Sequence, residues 1–329
     1  MCADVHIVGQ IYSDLVFAGA RPPQPGSEVY AESFTLSPGG AANRAVAAAR
    51  IGASAALSAD VGDDPIGTLV LAQLAQEPHL DLTHLRHRPG SHNPITVAIT
   101  DGPDRAFVTY EEPAMPPEWD GAAAPATLHL SVEKPLPPWL SSLRQQGTAV
   151  FGGVGWDATG AWSPEVLTRI RDVDAVVFND AEACAYTRTS TPEEALAALS
   201  GYVETAVVTL GKDGALATRA GTTVQVPSLP VTAVDPTGAG DTFGAVFMAT
   251  TAWGWELEAG LRLAAAAAAC SVRAPGGARS APTPTDLHDL FEELQPARGW
   301  DVVRQWARQQ SEGVHGSTHA APVTSERKS

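Results

Sequence analysis

Cysteine is scarce: Cys2, Cys184 and Cys270 are the only three in 329 residues. They are too few and too scattered for a disulfide framework or a structural zinc. Long apolar runs are also missing. None approaches the ~18 residues of a membrane span, and the longest, 263–270, is mostly alanine and predicts a packed helix. Basic charge is in deficit, with 21 Lys and Arg against 37 Asp and Glu for a net −16. A protein that tracks nucleic-acid phosphates needs a basic surface, so that class is disfavoured. The chain has no G-x-x-x-x-G-K-[S/T] run and hence no P-loop. No internal repeat is present, and the first residues lack the basic and apolar regions of a signal peptide. The expectation is a cytoplasmic protein without nucleic-acid or membrane partners. With 44% hydrophobic and 18% charged residues, it is globular rather than disordered.

Short β-branched runs alternate with alanine-rich helical stretches. Strands are expected at 4–9, 53–61, 127–131, 149–152, 175–178 and 206–210. Helices are expected at 43–51, 65–75, 164–170, 192–199, 242–253 and 257–272, with Leu69, Leu71 and Leu74 on or near one face of the second. Such alternation predicts an α/β fold whose mostly parallel sheet is flanked by helices on both faces. Segments 29–36 and 96–110 break the rhythm, the latter around the turn signal Asp101-Gly102-Pro103-Asp104. They predict a small β-sheet standing off the main domain, or an edge extension of the main sheet. Beyond 296, Trp300, Val303 and Trp306 predict one short amphipathic helix, and the polar segment 311–329 is expected to be disordered. The division expected is a main domain over 1–296 and a C-terminal extension over 297–329.

The most informative stretch is 234–243, Val-Asp-Pro-Thr-Gly-Ala-Gly-Asp-Thr-Phe, which follows a β-like run over 223–234 and opens an apolar helix. A turn of small residues at a helix start leaves amide N–H groups unpartnered and pointing one way. With the positive end of the helix dipole, the turn becomes an anion cradle built from Gly238, Ala239, Gly240 and Asp241. Asp241 is the puzzle, because a carboxylate repels the anion. A phosphoryl-transfer site wants one there to accept the proton of the attacking hydroxyl. The alternative is that Asp241 merely caps the helix. The run 238–244 also resembles a dinucleotide fingerprint, but with the wrong final spacing.

The segment Asp235-Pro236-Thr237-Gly238-Ala239-Gly240-Asp241-Thr242-Phe243 closely resembles the C-terminal signature of the PfkB-type carbohydrate kinases, the ribokinase-like family. A second match lies about 200 residues earlier, at 38–53 (Pro-Gly-Gly-Ala-Ala-Asn-Arg…) and 61–67. The resemblance covers roughly 4–294. It implies a ribokinase-like three-layer fold with a small β-lid near 29–36 and 96–110, ATP and Mg²⁺ as cofactors, and a small sugar as acceptor. In relatives such lids pack against a partner lid, which implies a homodimer. The resemblance casts Asp241 as general base and Asp14, Gly39, Gly40, Asn43 and Glu133 as sugar contacts. Asn179 and Glu182 match an N-x-x-E element that organises magnesium through water, and Thr209, Gly211 and Gly214 match a segment lining the nucleotide. Asp235 and Thr237, with a loop near 273–278, match a monovalent-cation site suited to K⁺.

The chain also departs from that pattern. The first motif lacks the lysine that ribokinases carry there, and 151–160 is unlike the ribokinase equivalent. Trp156 and Asp157 either shape the acceptor pocket or close the sheet. A phosphorylated acceptor would need a basic cluster, for which Arg21, Arg44, Arg50 and Arg105 are available. Arg44 and Arg50 lie on a predicted helix and are readable as solvated. A nucleoside acceptor would need an aromatic slot, and a non-catalytic sugar- or nucleotide-binding regulator is the reading from another class.

Overall fold

The computed structural model describes residues 2–313 apart from 102–103, 114, 156, 158 and 297–298, with backbone alone at 104–105. The chain starts with β1 (Val5–Val8), β2 (Ile11–Ala18), β3 (Ser33–Gly40), α1 (Ala41–Arg50), β4 (Ala55–Gly62) and α2 (Pro65–Leu74). Next come β5 (Leu80–Asp81), β6 (Leu85–Arg88), β7 (Ile95–Asp101), β8 (Asp104–Tyr110), β9 (Thr127–Ser131), α3 (Leu140–Gln145), β10 (Ala149–Gly153) and α4 (Glu165–Arg169). They are followed by β11 (Ala175–Asn179), α5 (Asp180–Thr187), α6 (Pro192–Leu199), β12 (Thr205–Thr209), β13 (Ala215–Arg219) and β14 (Thr222–Val226). The helices α7 (Ala239–Ala252), α8 (Leu257–Ser271), α9 (Pro284–Leu294) and α10 (Asp301–Ser311) complete the chain.

The main sheet has the order β14-β13-β12-β11-β10-β9-β1-β4-β5, with β6 also on β4. Pairing is parallel from β12 through β4 to β5 and β6, and antiparallel only at β13 and β14. A parallel strand is covered on both faces, which is why β1 (Val-His-Ile-Val) is buried at every position. One face carries α1, α7, α8, α9 and α10, and the other carries α3 to α6. Alanine fills the inner sides of α1 and α8, so helices approach closely. A Cβ on Gly260 of α8 would lie 2.7 Å from Thr250 Oγ1 of α7.

The second sheet has the order β3-β2-β7-β8. It stands off the main sheet as expected, but its strands differ from those expected. The segment 29–32 is not strand, β3 runs on to Gly40, and β2 was not foreseen. Pro38-Gly39-Gly40 reads as a turn, yet it pairs with Ile11–Ser13, because β3 is an edge strand whose outer side needs no N–H donors. Two other expectations are corrected. The strand expected over 223–234 ends at Val226. In α2 the buried stripe is Gly67, Val70 and Leu74, while Leu69 is 53% exposed, since 100° per residue turns position 69 away from 67, 70 and 74.

The helix beyond 296 belongs to the main core. Trp306 is 1% exposed and its ring lies 5.9 Å from Trp253 and 5.8 Å from Trp255. The expected turn residues 102–103, Trp156 and the tail from 314 fall outside the described residues. Among the described residues no helix is long and apolar enough to cross a membrane. Trp306→Ala should cost about 3–5 kcal/mol in a urea melt, the usual range for emptying an aromatic core site. Leu69→Ala should stay within about 0.5 kcal/mol, as a surface change does.

Candidate active site

From β1 the chain moves one way to β4 and later returns to β9 on the opposite side. Strand order therefore reverses between β1 and β9. At such a reversal the loops leave the strand ends in opposite directions and open a crevice. The second sheet emerges there, because only Gly9 and Gln10 separate β1 from β2 and α1 follows β3 directly.

Three segments meet in this crevice. Helix α7 begins at Ala239 rather than at Thr242. Its N-cap is Gly238, with φ 76°, and no side chain caps it. Asp241 is therefore in the first turn and is not the helix cap. Its carboxylate crosses to α1, where Asn43 Nδ2 donates to Oδ2 at 3.0 Å and Arg44 Nη1 pairs with Oδ1 at 2.9 Å. Both Arg44 and Asp241 side chains are 21% exposed. Arg44 is thus not a solvated helix residue. The Ala239 N–H is turned onto the Pro236 carbonyl at 3.2 Å, and Thr242 N–H bonds Gly238 O at 2.8 Å. The amides of Gly240 and Asp241 lie in the first turn, where no carbonyl four residues back belongs to the helix. The space over Gly240 is open.

Asp14, on β2, lies over Gly39 of β3. A Cβ at Gly39 would fall 2.0 Å from Asp14 Oδ2, so only glycine admits the carboxylate. Burial, then the charges of Asp241 and Asp235, push the Asp14 carboxyl up from 3.8 to about 7. Asp14 is thus within electrostatic reach of Asp241, to which Asn43 is hydrogen-bonded. Gly40 holds φ 61°, and a Cβ there would strike the Gln10 carbonyl and the Tyr12 ring. Tyr12 itself donates to Glu111, a further residue of the cleft that the sequence did not single out.

Asp235 is spent on backbone. Oδ1 accepts from Thr237 N–H at 2.9 Å and Oδ2 from Gly276 N–H at 3.1 Å, which staples the cradle loop to the 273–278 loop. Asn179 and Glu182 cap each other: Glu182 N–H donates to Asn179 Oδ1 at 2.8 Å and Asn179 N–H to Glu182 Oε2 at 3.0 Å. Glu182 Oε1 and Asn179 Nδ2 lie outside the cap. Burial pushes the Glu182 carboxyl up to about 7; the Asn179 N–H and the Arg44 charge oppose that rise, while Glu133 and Asp241 add to it. Thr209 is opposite Asn179 in the β11–β12 pair, and Gly211 and Gly214, with φ 55° and 96°, turn the chain back into β13. Glu133 accepts from Ser131 Oγ at 3.1 Å.

A cavity of about 810 Å³ runs from Gly40, Arg44 and Glu133 past Tyr12 to Ser58, His84 and Trp119. Ser58, His84 and Trp119 line its far end and the buried His6 packs against them, a group the sequence did not reveal. His6 Nε2 contacts Ser58 Oγ at 2.7 Å, and the His6 ring lies 5.1 Å from His84 and 4.9 Å from Trp119. His84 Nδ1 contacts Asp120 Oδ2 at 2.5 Å. Burial, then the neighbouring His84, holds His6 down at about 4. These residues come from separate strands and loops, so no local spacing announces them. Of the other candidates, Asp157 turns outward to accept from Thr159 and Trp162 N–H groups. Arg21 pairs with Asp101, and Arg50 with Glu77 and the carbonyls of Arg279 and Ala281.

An anion-ready helix start with a carboxylate beside it, facing a crevice at the strand reversal under a small sheet, has the layout of a phosphotransferase. Residues 3–284 match the model of the pfkB family carbohydrate kinases, and the chain belongs to that family. It is 28% identical to the ribokinase of Bacillus subtilis over 332 residues, covering 88% of this chain and 99% of that protein. It is also 28% identical to the aminoimidazole riboside kinase of Salmonella typhimurium, covering 82% and 92% respectively. The ribokinase of Arabidopsis thaliana, solved with ribose and ATP, superposes with a TM-score of 0.73 at 21% identity, over 89% of this chain and 99% of that one. The fold is ribokinase-like, and the protein is a carbohydrate kinase, a phosphotransferase with an alcohol acceptor.

The Asp14 carboxyl supplies a pH signature. Because its folded value is raised, the native state holds a proton that the unfolded chain has released between about pH 4 and pH 7. Stability therefore falls as pH rises through that window. Asp14→Asn should remove this slope, so the melting temperature of the variant relative to the parent should be higher at pH 8 than at pH 5. Equal differences at the two pH values would contradict the assignment.

Proposed function

We propose that the protein transfers the γ-phosphate of ATP to a hydroxymethyl group of a small carbohydrate, with Asp241 as general base. The observation that carries this reading is the Asp241 carboxylate, held in the first turn of α7 by Asn43 and Arg44 and within electrostatic reach of Asp14. Asp14 grips neighbouring sugar hydroxyls, aided by the backbone of Gly39 and Gly40, the Asn43 amide and Glu133. The acceptor O–H gives its proton to Asp241 and its oxygen bonds to the γ-phosphorus. The bond to the β,γ-bridging oxygen breaks, and ADP leaves with that electron pair. The Gly240 and Asp241 amides stabilise the charge on the moving group, with Gly238 and Ala239 shaping the turn. The second sheet closes over the acceptor and excludes water.

Asn179, Glu182, Thr209, Gly211 and Gly214 line the nucleotide side in this reading. Among the described residues no three His, Cys, Asp or Glu side chains converge as direct metal ligands. The donor set still fits magnesium that arrives on nucleotide phosphates with its own waters, which Glu182 would order through the oxygen its cap leaves over. Magnesium would neutralise phosphate charge there. Asp235 and Thr237, stapled to Gly276, suit a monovalent cation such as K⁺ that would stiffen the cradle. A cytoplasmic location, where ATP is supplied, fits this reading.

The outer face of the lid supports a homodimer. Leu15 is paired with Leu36 and Val97, and Phe17 with Phe34 and Ile99, so these apolar side chains share one face with Val108. Phe34 and Val108 are exposed. Val108→Glu should shift a dimer to monomer in sedimentation velocity, and a parent already monomeric at assay concentration would contradict the dimer.

A second reading, a nucleoside acceptor, is favoured by the far end of the cavity, where Trp119 and His84 line the wall and the buried His6 packs against both. A silent regulator is disfavoured, because a chain freed from catalysis would be expected to lose Asp241, the small-residue turn before it and the Asn179–Glu182 pair, and this one retains them. An ADP-release screen of pentoses, hexoses, keto-acid sugars, sugar phosphates and nucleosides, with and without K⁺, separates these readings. Asp241→Asn should fold normally and lose roughly two to four decades of turnover, the range of a general base. Turnover within about threefold of the parent lies far below that range and would exclude the role.

A further inference from the structure

Arg44 is placed where electrostatics alone would not put a cation. It projects from the first turn of α1 onto the first turn of α7, and a Cβ on Gly244 would lie 3.9 Å from its Nε. The positive end of a helix dipole repels a guanidinium. Its one ion-pair partner among the described residues is Asp241, at 2.9 Å. Its charge also reaches Glu182 on the nucleotide side and His129 in the floor of the crevice, and Arg44 lines the cavity. The guanidinium thus contacts the Asp241 carboxylate at the start of α7 and lines the cavity, with Glu182 within reach of its charge. A planar fork of donors in that position matches the oxygens of a phosphoryl group better than it matches one carboxylate oxygen.

Resting on the kinase reading above, we propose that Arg44 is a second catalytic residue, donating to the non-bridging oxygens of the phosphoryl group during transfer. Before the acceptor arrives, the guanidinium holds Asp241. When the acceptor hydroxyl takes Asp241 as its partner, the phosphoryl group becomes the better anion for both Arg44 and the helix terminus. Arg44 exchanges no proton. The proton passes from acceptor oxygen to Asp241, the new O–P bond forms, and ADP departs with the electron pair of the bond that breaks. The arginine stabilises charge that is spread over the oxygens between those two events.

Calorimetric binding of ADP with Mg²⁺ in the presence of the acceptor that turns over in the ADP-release screen, with and without aluminium fluoride as phosphoryl mimic, tests this without turnover. In Arg44→Met the affinity gained from aluminium fluoride should fall about 10²–10³-fold, as for loss of one donor to a transition-state anion. ADP alone should bind within about threefold of the parent, which also reports that the variant is folded. Arg44→Lys, which keeps the charge and loses the fork, should fall between. The decisive comparison is made in the Asp241→Asn background. A direct contact predicts that Arg44→Met still causes its loss there, whereas an arginine that only orients Asp241 predicts that the loss disappears. Disappearance, or an unchanged gain in Arg44→Met, overturns the proposal. A parent that does not bind ADP overturns the kinase reading instead, and a parent that binds ADP but gains nothing from aluminium fluoride counts against the phosphoryl site as a whole, Arg44 included.

Discussion

One carboxylate joins the two halves of the active cleft. Asp241 receives Asn43 on one oxygen and Arg44 on the other, so the first turns of α1 and α7 are tied together by consecutive residues of a single helix. The surrounding structure converges on this contact. Gly238 in a left-handed conformation brings α7 to it, and a Cβ there would meet Gly277 Cα at 3.0 Å. Asp235 locks the adjoining loop to Gly276, and Ser37 Oγ in the lid donates to the Gly276 carbonyl at 2.9 Å. Lid, cradle and closing loop are thus cross-linked by hydrogen bonds around the same few residues.

The cleft is charged out of balance. Burial raises Asp14 and Glu182 to about 7, with the charges of Asp241 and Asp235 adding to the rise at Asp14 and those of Glu133 and Asp241 to the rise at Glu182. Withdrawal from water and neighbouring negative charge both favour the protonated form of a carboxyl, so proton uptake by Asp14 and Glu182 limits the repulsion in the cleft.

Much of this was legible in the chain and some was not. The helix at 192–199 was expected with its observed bounds, because Thr191 before Pro192 and Glu194 is a local start signal. The glycine-rich turn before an apolar helix was a local signal as well, although α7 begins at Ala239 and not at the expected Thr242. The lid strand β2 was hidden, since Ile11–Ala18 mixes Tyr, Ser and Asp into a run whose alternation continues from β1 almost without a break. Arg44 was underestimated because one residue on a helix shows its partner only when a segment almost 200 positions away is folded onto it. The His6, Ser58, His84 and Trp119 group escaped for the same reason, multiplied by four separate elements.

The direct splice of β3 into α1 has a mechanical consequence. No residue separates the last position of that lid strand, Gly40, from the first of the helix, Ala41, and Asn43 and Arg44 follow within the next four. The strand that ends the small sheet and the helix start that holds Asp241 are therefore one unbroken stretch of chain, and because α1 is buried in the main core, the end of β3 is anchored to the body of the protein by the same few residues that grip the aspartate.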